Sequence, residues 1–260
     1  MNFLCQREAT RHLLDLASAD RHSILIDGVS GSGKTYLAMQ YANMLNIADL
    51  QSVEPKVNDI KEAIDACLQL TNPIVLVIEN LDTGVPAASY ALLKFLEEPL
   101  PTVYIVVTCR SIKRVPETII SRSTVVSVAP PINTDVSEYA KYKNKDKYIE
   151  LSNQLIWRCV RSFKDADEVM NMSDSQLSYF ADLQDIIKFQ DTVSNIIWKL
   201  SHYNDNSESP VELVIRYIME LLKTIHIQKA GVECLDDLAS RRIASHAVLA
   251  KFVFEAKYCE

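Results

Sequence analysis

Short apolar runs and helical stripes alternate along the first half of the chain. "SILID" (23–27), "PIVLVIEN" (73–80), "TVYIVVT" (102–108) and "TVVSVAP" (124–130) are nearly continuous apolar or β-branched runs. Such runs fit strands of a parallel sheet that is buried on both faces. Between them the rhythm changes to that of helices. "GKTYLAMQYANMLN" follows the first run, and "VNDIKEAIDACLQL" (57–70) sets Ile60, Ala63, Ile64 and Leu68 on one helical face. "PAASYALLKFLEEP" (86–99) reads as a helix up to a proline stop, and "PETIISRS" (116–123) as a short helix with proline near its start. Strands that alternate with helices predict an α/β fold with a parallel sheet.

The rhythm changes at "APPINTD" (129–135), beyond which no convincing buried strand follows. "DVSEYAKYKNKDKYIELSNQLIWRCV" and "SQLSYFADLQDIIKFQDTVSNIIWKL" carry helical periodicity. "NDNSESP" (204–210) is a polar break, and "PVELVIRYIMELLKTIHIQK" then begins with proline in the first turn of a helix. A final helix is expected over about 233–257, and the helical half is expected to divide near 172. No internal repeat and no low-complexity tract interrupts the chain.

Composition narrows the class. A chain of 260 residues suits one large domain or two to three small ones, and its apolar share of 48% is ordinary for a globular protein. No apolar run approaches the roughly 20 residues that a membrane helix needs. The opening "MNFLCQREATRHLLD" lacks the apolar core of a signal peptide. The six cysteines lie far apart without a Cys-x-x-Cys pair, and the histidines offer no ligand spacing with them. Neither a zinc site nor a disulfide framework is expected, and the expected setting is a reducing cytoplasm. Net charge is −7, so attraction to nucleic acid would need a local basic face. The candidates are "RSIKR" (110–114), "KYKNKDK" (141–147) and "WRCVRSFK" (157–164), although most such runs are solvated surface.

The chemistry is concentrated in "GVSGSGKT" (28–35), which holds three of the five glycines of the protein. The spacing Gly-x4-Gly-Lys-Thr, with a strand before it and a helix after it, is that of a phosphate loop. Gly28, Gly31 and Gly33 allow the backbone to close around phosphate oxygens, with Val29, Ser30 and Ser32 supplying further backbone N–H groups. The positive end of the following helix adds to the field. Lys34 is placed to reach the terminal phosphates, and Thr35 to offer its hydroxyl to Mg2+. The loop is therefore expected to hold a nucleoside triphosphate. Hydrolysing relatives of such loops end a second strand in Asp-Glu, whereas this one ends Ile78-Glu79-Asn80. Glu79 can stand at the metal, but Asn80 cannot accept a proton. Asp82 could take that part only if the turn folds back.

The stretch "ASYALLKFLEEP" (88–99) resembles the "NALLKTLEEP" segment of bacterial clamp-loader subunits, of both the delta-prime and the gamma/tau types. The likeness continues through "VYIVVTCRSIKRVPETIISRS" (103–123) and closes with "VAPP" (128–131). Over roughly residues 20–131 the chain is similar to a delta-prime-type subunit of a DNA polymerase III clamp loader, bacterial or phage-encoded.

This resemblance implies a P-loop AAA+ domain with a parallel five-stranded sheet (1–131), a helical lid (132–172) and a helical collar (173–260). It implies ATP and Mg2+ as cofactors, a hetero-oligomeric ring with other clamp-loader subunits, a sliding clamp and primed DNA as partners. Thr108, Cys109 and Arg110 would form the turn that senses the γ-phosphate, although Cys109 is a poor donor for that task. Arg122 would be the arginine finger offered to a neighbour's ATP, a role that suits its planar, permanently charged fork. Lys94 could face DNA phosphate or solvent.

The departures from the pattern are Ser123 for the usual cysteine, Asn80 for the catalytic glutamate, and a lid stretch "SDSQLSYFADLQDII" without Gly-x-x-Arg. The zinc module between the two nucleotide motifs is missing, and the collar is short, as in a compact phage version. These departures imply a subunit that binds nucleotide weakly or statically and donates Arg122 to its neighbour, without efficient hydrolysis at its own site. Other AAA+ ATPases, such as a helicase loader or a transposition regulator, and a P-loop kinase of small molecules are the alternatives.

Overall fold

The computed structural model describes residues 6–188, 211–222, 225–239, 248, 251 and 252. Five parallel strands form its sheet: β1 (Ser23–Asp27), β2 (Asp49–Val53), β3 (Ile74–Ile78), β4 (Val103–Cys109) and β5 (Thr124–Ser127). Their order is β2-β3-β4-β1-β5. Helices α1 (Arg7–Ser18), α2 (Lys34–Met44), α3 (Val57–Cys67), α4 (Pro86–Glu97) and the short α5 (Glu117–Ile120) connect or flank them.

Successive residues of a strand point to opposite faces, and both faces are covered here. Leu25, Leu76, Ile78 and Ile105 pack with Ile60 of α3 and Leu92 of α4. Ile24, Ile26, Val75 and Val106 pack with Leu13 of α1 and Tyr41 of α2 on the other side. Four strands stand where the apolar runs place them.

β2 is the strand that the apolar pattern does not locate. It is an edge strand in which only Val53 is fully buried, so "DLQSV" looks like loop. α1 was likewise not assigned from sequence. On α3 the buried face is Ile60, Ala63 and Cys67, and the helix ends there. Leu68, expected on that face, lies past the last turn and is 58% exposed.

The chain divides into two compact units, Met1–Asp135 with Ser162–Lys164, and Val136–Arg161 with Asp165–Glu260. The helical part holds α6 (Asn133–Lys143), α7 (Lys145–Ser152), α8 (Phe163–Asn171), α9 (Asp174–Lys188), α10 (Val211–Leu222) and α11 (Ile225–Ala239). Asn144 caps α7, its side chain accepting from the Lys147 N–H at 3.0 Å. In the second unit Arg216 of α10 reaches the buried Asp165 at 2.7 Å and Glu212 at 3.6 Å. A buried carboxylate is tolerated only when paired in this way. The break at 204–210 and most of the helix expected beyond 239 lie outside the described residues. Among the described residues no helix is long and apolar enough to cross a membrane.

Candidate nucleotide-binding site

The phosphate loop leaves the carboxyl end of β1, where open parallel sheets present their ligand-binding crevice. Asp27 pairs in register with Cys109 of β4, and the Gly28 N–H donates to the Cys109 carbonyl at 3.2 Å. Gly31 and Gly33 have φ of 73° and 89°, which side-chain-bearing residues rarely adopt. At Gly31 there is also no room, since a Cβ there would lie 2.4 Å from Ser162 Oγ. α2 begins at Lys34, so its first N–H groups lack intrahelical acceptors and face the loop mouth.

Lys34 is buried, and its ammonium donates to the carbonyls of Gly28 at 2.7 Å and Val29 at 2.9 Å. Burial lowers its pKa from the ordinary lysine value, Arg110 lowers it further, and Cys109, Asp82 and Asp27 act in the opposite direction. Such a cation, held by loop carbonyls in a desolvated pocket, gains strongly from incoming phosphate charge.

The acidic side is built from the ends of β2, β3 and β4. Glu79 Oε1 accepts from Ser52 Oγ at 2.8 Å and lies 3.4 Å from the Thr35 hydroxyl. Asn80 sits at φ 47°, the left-handed region, and its N–H donates to the buried Thr108 Oγ1 at 2.9 Å. A 3-10 turn over Leu81–Thr83 follows. It brings Asp82 back to accept the Arg110 N–H at 2.9 Å. Asp27 accepts the Ile112 N–H at 2.9 Å and the Cys109 thiol at 3.4 Å. Burial, aided by Asp27, pushes the Cys109 thiol far up, so it stays protonated. The turns after β1, β3 and β4 are therefore tied to one another before any ligand enters.

The residues present fit a nucleotide with its metal. Magnesium takes one or two carboxylates together with substrate phosphates, and Glu79 with Thr35 supplies that protein share. Ser32 Oγ, fully buried in the loop, has no hydrogen-bond partner. Buried polar atoms are normally satisfied, and a phosphate oxygen in the loop would satisfy this one.

Of the expected residues, the loop, Glu79, Thr108 and Arg110 come together. Arg122 does not join them. Ser123 bonds Ser23, the first residue of β1, at 3.1 Å, so Arg122 stands at the amino end of the strands. A five-residue strand spans roughly 16 Å, which sets Arg122 at the end of the sheet away from its own phosphate loop. There it pairs with Glu97 of α4 at 2.8 Å and donates to the Thr118 carbonyl at 3.0 Å. Lys94 is exposed on α4.

In two of the basic runs some of the cations are engaged with acids or a ring. Lys143 is engaged with Asp167 at 2.5 Å, and Lys141 lies over the Tyr148 ring at 5.2 Å. Arg158 stands 4.0 Å from Glu220. Three contributors were not found from sequence. Ser52 sits on the strand that the apolar pattern misses. Gln6, ahead of α1, donates to the Ala129 carbonyl at 3.0 Å and the Ser32 carbonyl at 3.5 Å. The Phe163 N–H donates to the Gly31 carbonyl at 3.1 Å, which sets Ser162–Lys164 against the loop. Ser162–Lys164 belong to the same compact unit as the loop.

Residues 55–131 match the family model of the DNA polymerase III delta subunit, and residues 1–65 match that of magnesium chelatase subunit ChlI. No curated protein matches the chain. Among solved structures it is similar to a DNA polymerase III gamma subunit-related protein of Thermotoga maritima. That likeness has 18% identity and a TM-score of 0.58, covering 95% of this chain and 98% of that one. It is also similar to the RuvB Holliday junction branch migration motor of the same organism. There the identity is 14% and the TM-score 0.53, covering 98% of this chain and 89% of that one. The chain shares the fold of these solved structures, and its residues 55–131 match the family model of the DNA polymerase III delta subunit.

Proposed function

We infer that the protein is an ATP-binding subunit of a DNA-replication sliding-clamp loader, of delta-prime type. It binds ATP with Mg2+ through Gly28–Thr35 and Glu79 and offers Arg122 to a neighbouring subunit. The observation that carries the nucleotide reading is the approach of the Thr35 hydroxyl to Glu79 Oε1 at 3.4 Å, beside the buried Lys34. One loop residue and one strand-end acid thereby meet where a metal-bound triphosphate would sit. Thr35 and Glu79 would hold the metal, which would neutralise phosphate charge there.

The position of Arg122 supports action on a neighbour. It stands at the far end of the strands from its own loop and is exposed enough to meet another subunit. A guanidinium exchanges one carboxylate for phosphate oxygens with little loss, since both are planar or tripodal acceptors that its fork matches. In this reading residues 1–131 are the nucleotide domain, 132–172 the lid, and 173–260 the collar that joins the ring. Thr108 and Arg110, tied to the turn after β3, relay the state of the bound nucleotide. DNA and the clamp are met by the assembled ring.

The test is affinity purification of the tagged protein from its native cell with an ATP analogue and Mg2+. Recovery of replication subunits or a clamp, lost with Arg122→Ala or Lys34→Ala, is the expected result. A protein that emerges alone and phosphorylates a small acceptor contradicts the reading.

A further inference from the structure

We propose that Asp82 is the carboxylate that holds and deprotonates the water attacking the terminal phosphate, the part for which position 80 carries only an amide. The proposal rests on the reading of the loop as an ATP site. Its first support is the backbone. The left-handed Asn80 and the turn Leu81–Thr83 fold the chain back, and Asp82 Oδ1 is fixed by the Arg110 N–H at 2.9 Å. The second is an unpaired acceptor. Asp82 Oδ2 is buried without a partner, and so is Arg110 Nε beside it in the chain segment that Asp82 grips. A buried carboxylate oxygen left unpaired is costly, so the arrangement is complete only when a donor enters.

The third support is elimination among the neighbouring acids. Glu79 is held by Ser52 and faces Thr35, as a metal-side acid should be. Asp27 is engaged by Ile112 and Cys109. Asp82 alone of the three keeps a buried oxygen without a hydrogen-bond partner, within electrostatic reach of the Lys34 ammonium.

In the step, the water oxygen bonds to the γ-phosphorus while the bond to the β,γ-bridging oxygen breaks. ADP leaves with that electron pair. The water proton passes to Asp82 Oδ2 and then to the phosphate product. ATP and water become ADP and phosphate, with nothing else consumed.

The test uses the full chain in excess over ATP with Mg2+, reading phosphate release in a single turnover and, separately, affinity for a fluorescent ATP analogue. Asp82→Asn keeps an acceptor for the Arg110 N–H, so the turn and the affinity stay within about threefold of the parent. Its turnover falls by about 100-fold, the ordinary share of a general base. Asp82→Glu, which keeps the carboxylate, retains more turnover than Asp82→Asn. Thermal melting of each variant separates a lost fold from lost chemistry. Binding without any turnover in the parent, or turnover indifferent to Asp82→Asn, overturns the proposal alone. Failure of the parent to bind ATP overturns the nucleotide reading and the proposal with it.

Discussion

At the carboxyl ends of β1, β3 and β4, the buried Lys34 and the half-buried Glu79, Asp82 and Asp27 are held by hydrogen bonds across the turns. At the amino ends of the same sheet, Arg122 sits in an exposed pair with Glu97, the two side chains 36% and 51% accessible. The contrast separates groups organised within the subunit from a group presented to its surroundings. Most buried polar atoms are paired within the fold, so the geometry of such groups is set in advance. An exposed ion pair is worth about 1 kcal/mol or less and gives way easily to a better partner.

This contrast can be broken most severely at the loop. Lys34→Ala should lower ATP affinity by about 100-fold, the worth of charge-assisted bonds to phosphate. Gly31→Ala should abolish binding and cost about 1–2 kcal/mol of stability from the left-handed backbone alone, with the clash against Ser162 added. Calorimetric titration and thermal melting check both. Ser52→Ala, which frees Glu79 from one of its donors, should weaken Mg2+-dependent binding by about fivefold, equivalent to about 1 kcal/mol.

A smaller effect follows from pH. ATP prefers the charged lysine, and burial places the Lys34 pKa below its ordinary 10.5. Affinity should therefore decline on the alkaline side at a lower pH than for a solvent-exposed lysine, and Lys34→Ala should remove that decline. The smallest effect belongs to the other end of the sheet. Arg122→Ala or Glu97→Gln should change the melting free energy by less than about 1 kcal/mol and leave ATP binding by the isolated chain unchanged. A large loss of binding in either variant would show that the two ends are not separate.

Legibility in the sequence follows the same division. The loop was readable because a glycine pattern, a lysine and a hydroxyl act within eight consecutive residues. The buried strands were readable because both of their faces are apolar, as with β3, which is buried at every position. β2 failed that rule because an edge strand with exposed side chains carries no apolar signal, and Ser52 went unseen with it. Leu68 departs from the expected face because the helix stops at Cys67. Resemblance singled out Arg122, but its pairing with Glu97 depends on how β5 and α4 lie together. The reach of Ser162–Lys164 to Gly31 is a tertiary fact without a local pattern. For Asp82, the sequence posed a condition on the turn, and the left-handed Asn80 meets it.

The most direct measurement is ATP titration of the full chain with and without Mg2+, repeated on Lys34→Ala. Saturable, Mg2+-strengthened binding that the variant loses is the expected result. No binding by the parent, or equal binding by the variant, would contradict the assignment of Gly28–Thr35 and Glu79 as a nucleotide site.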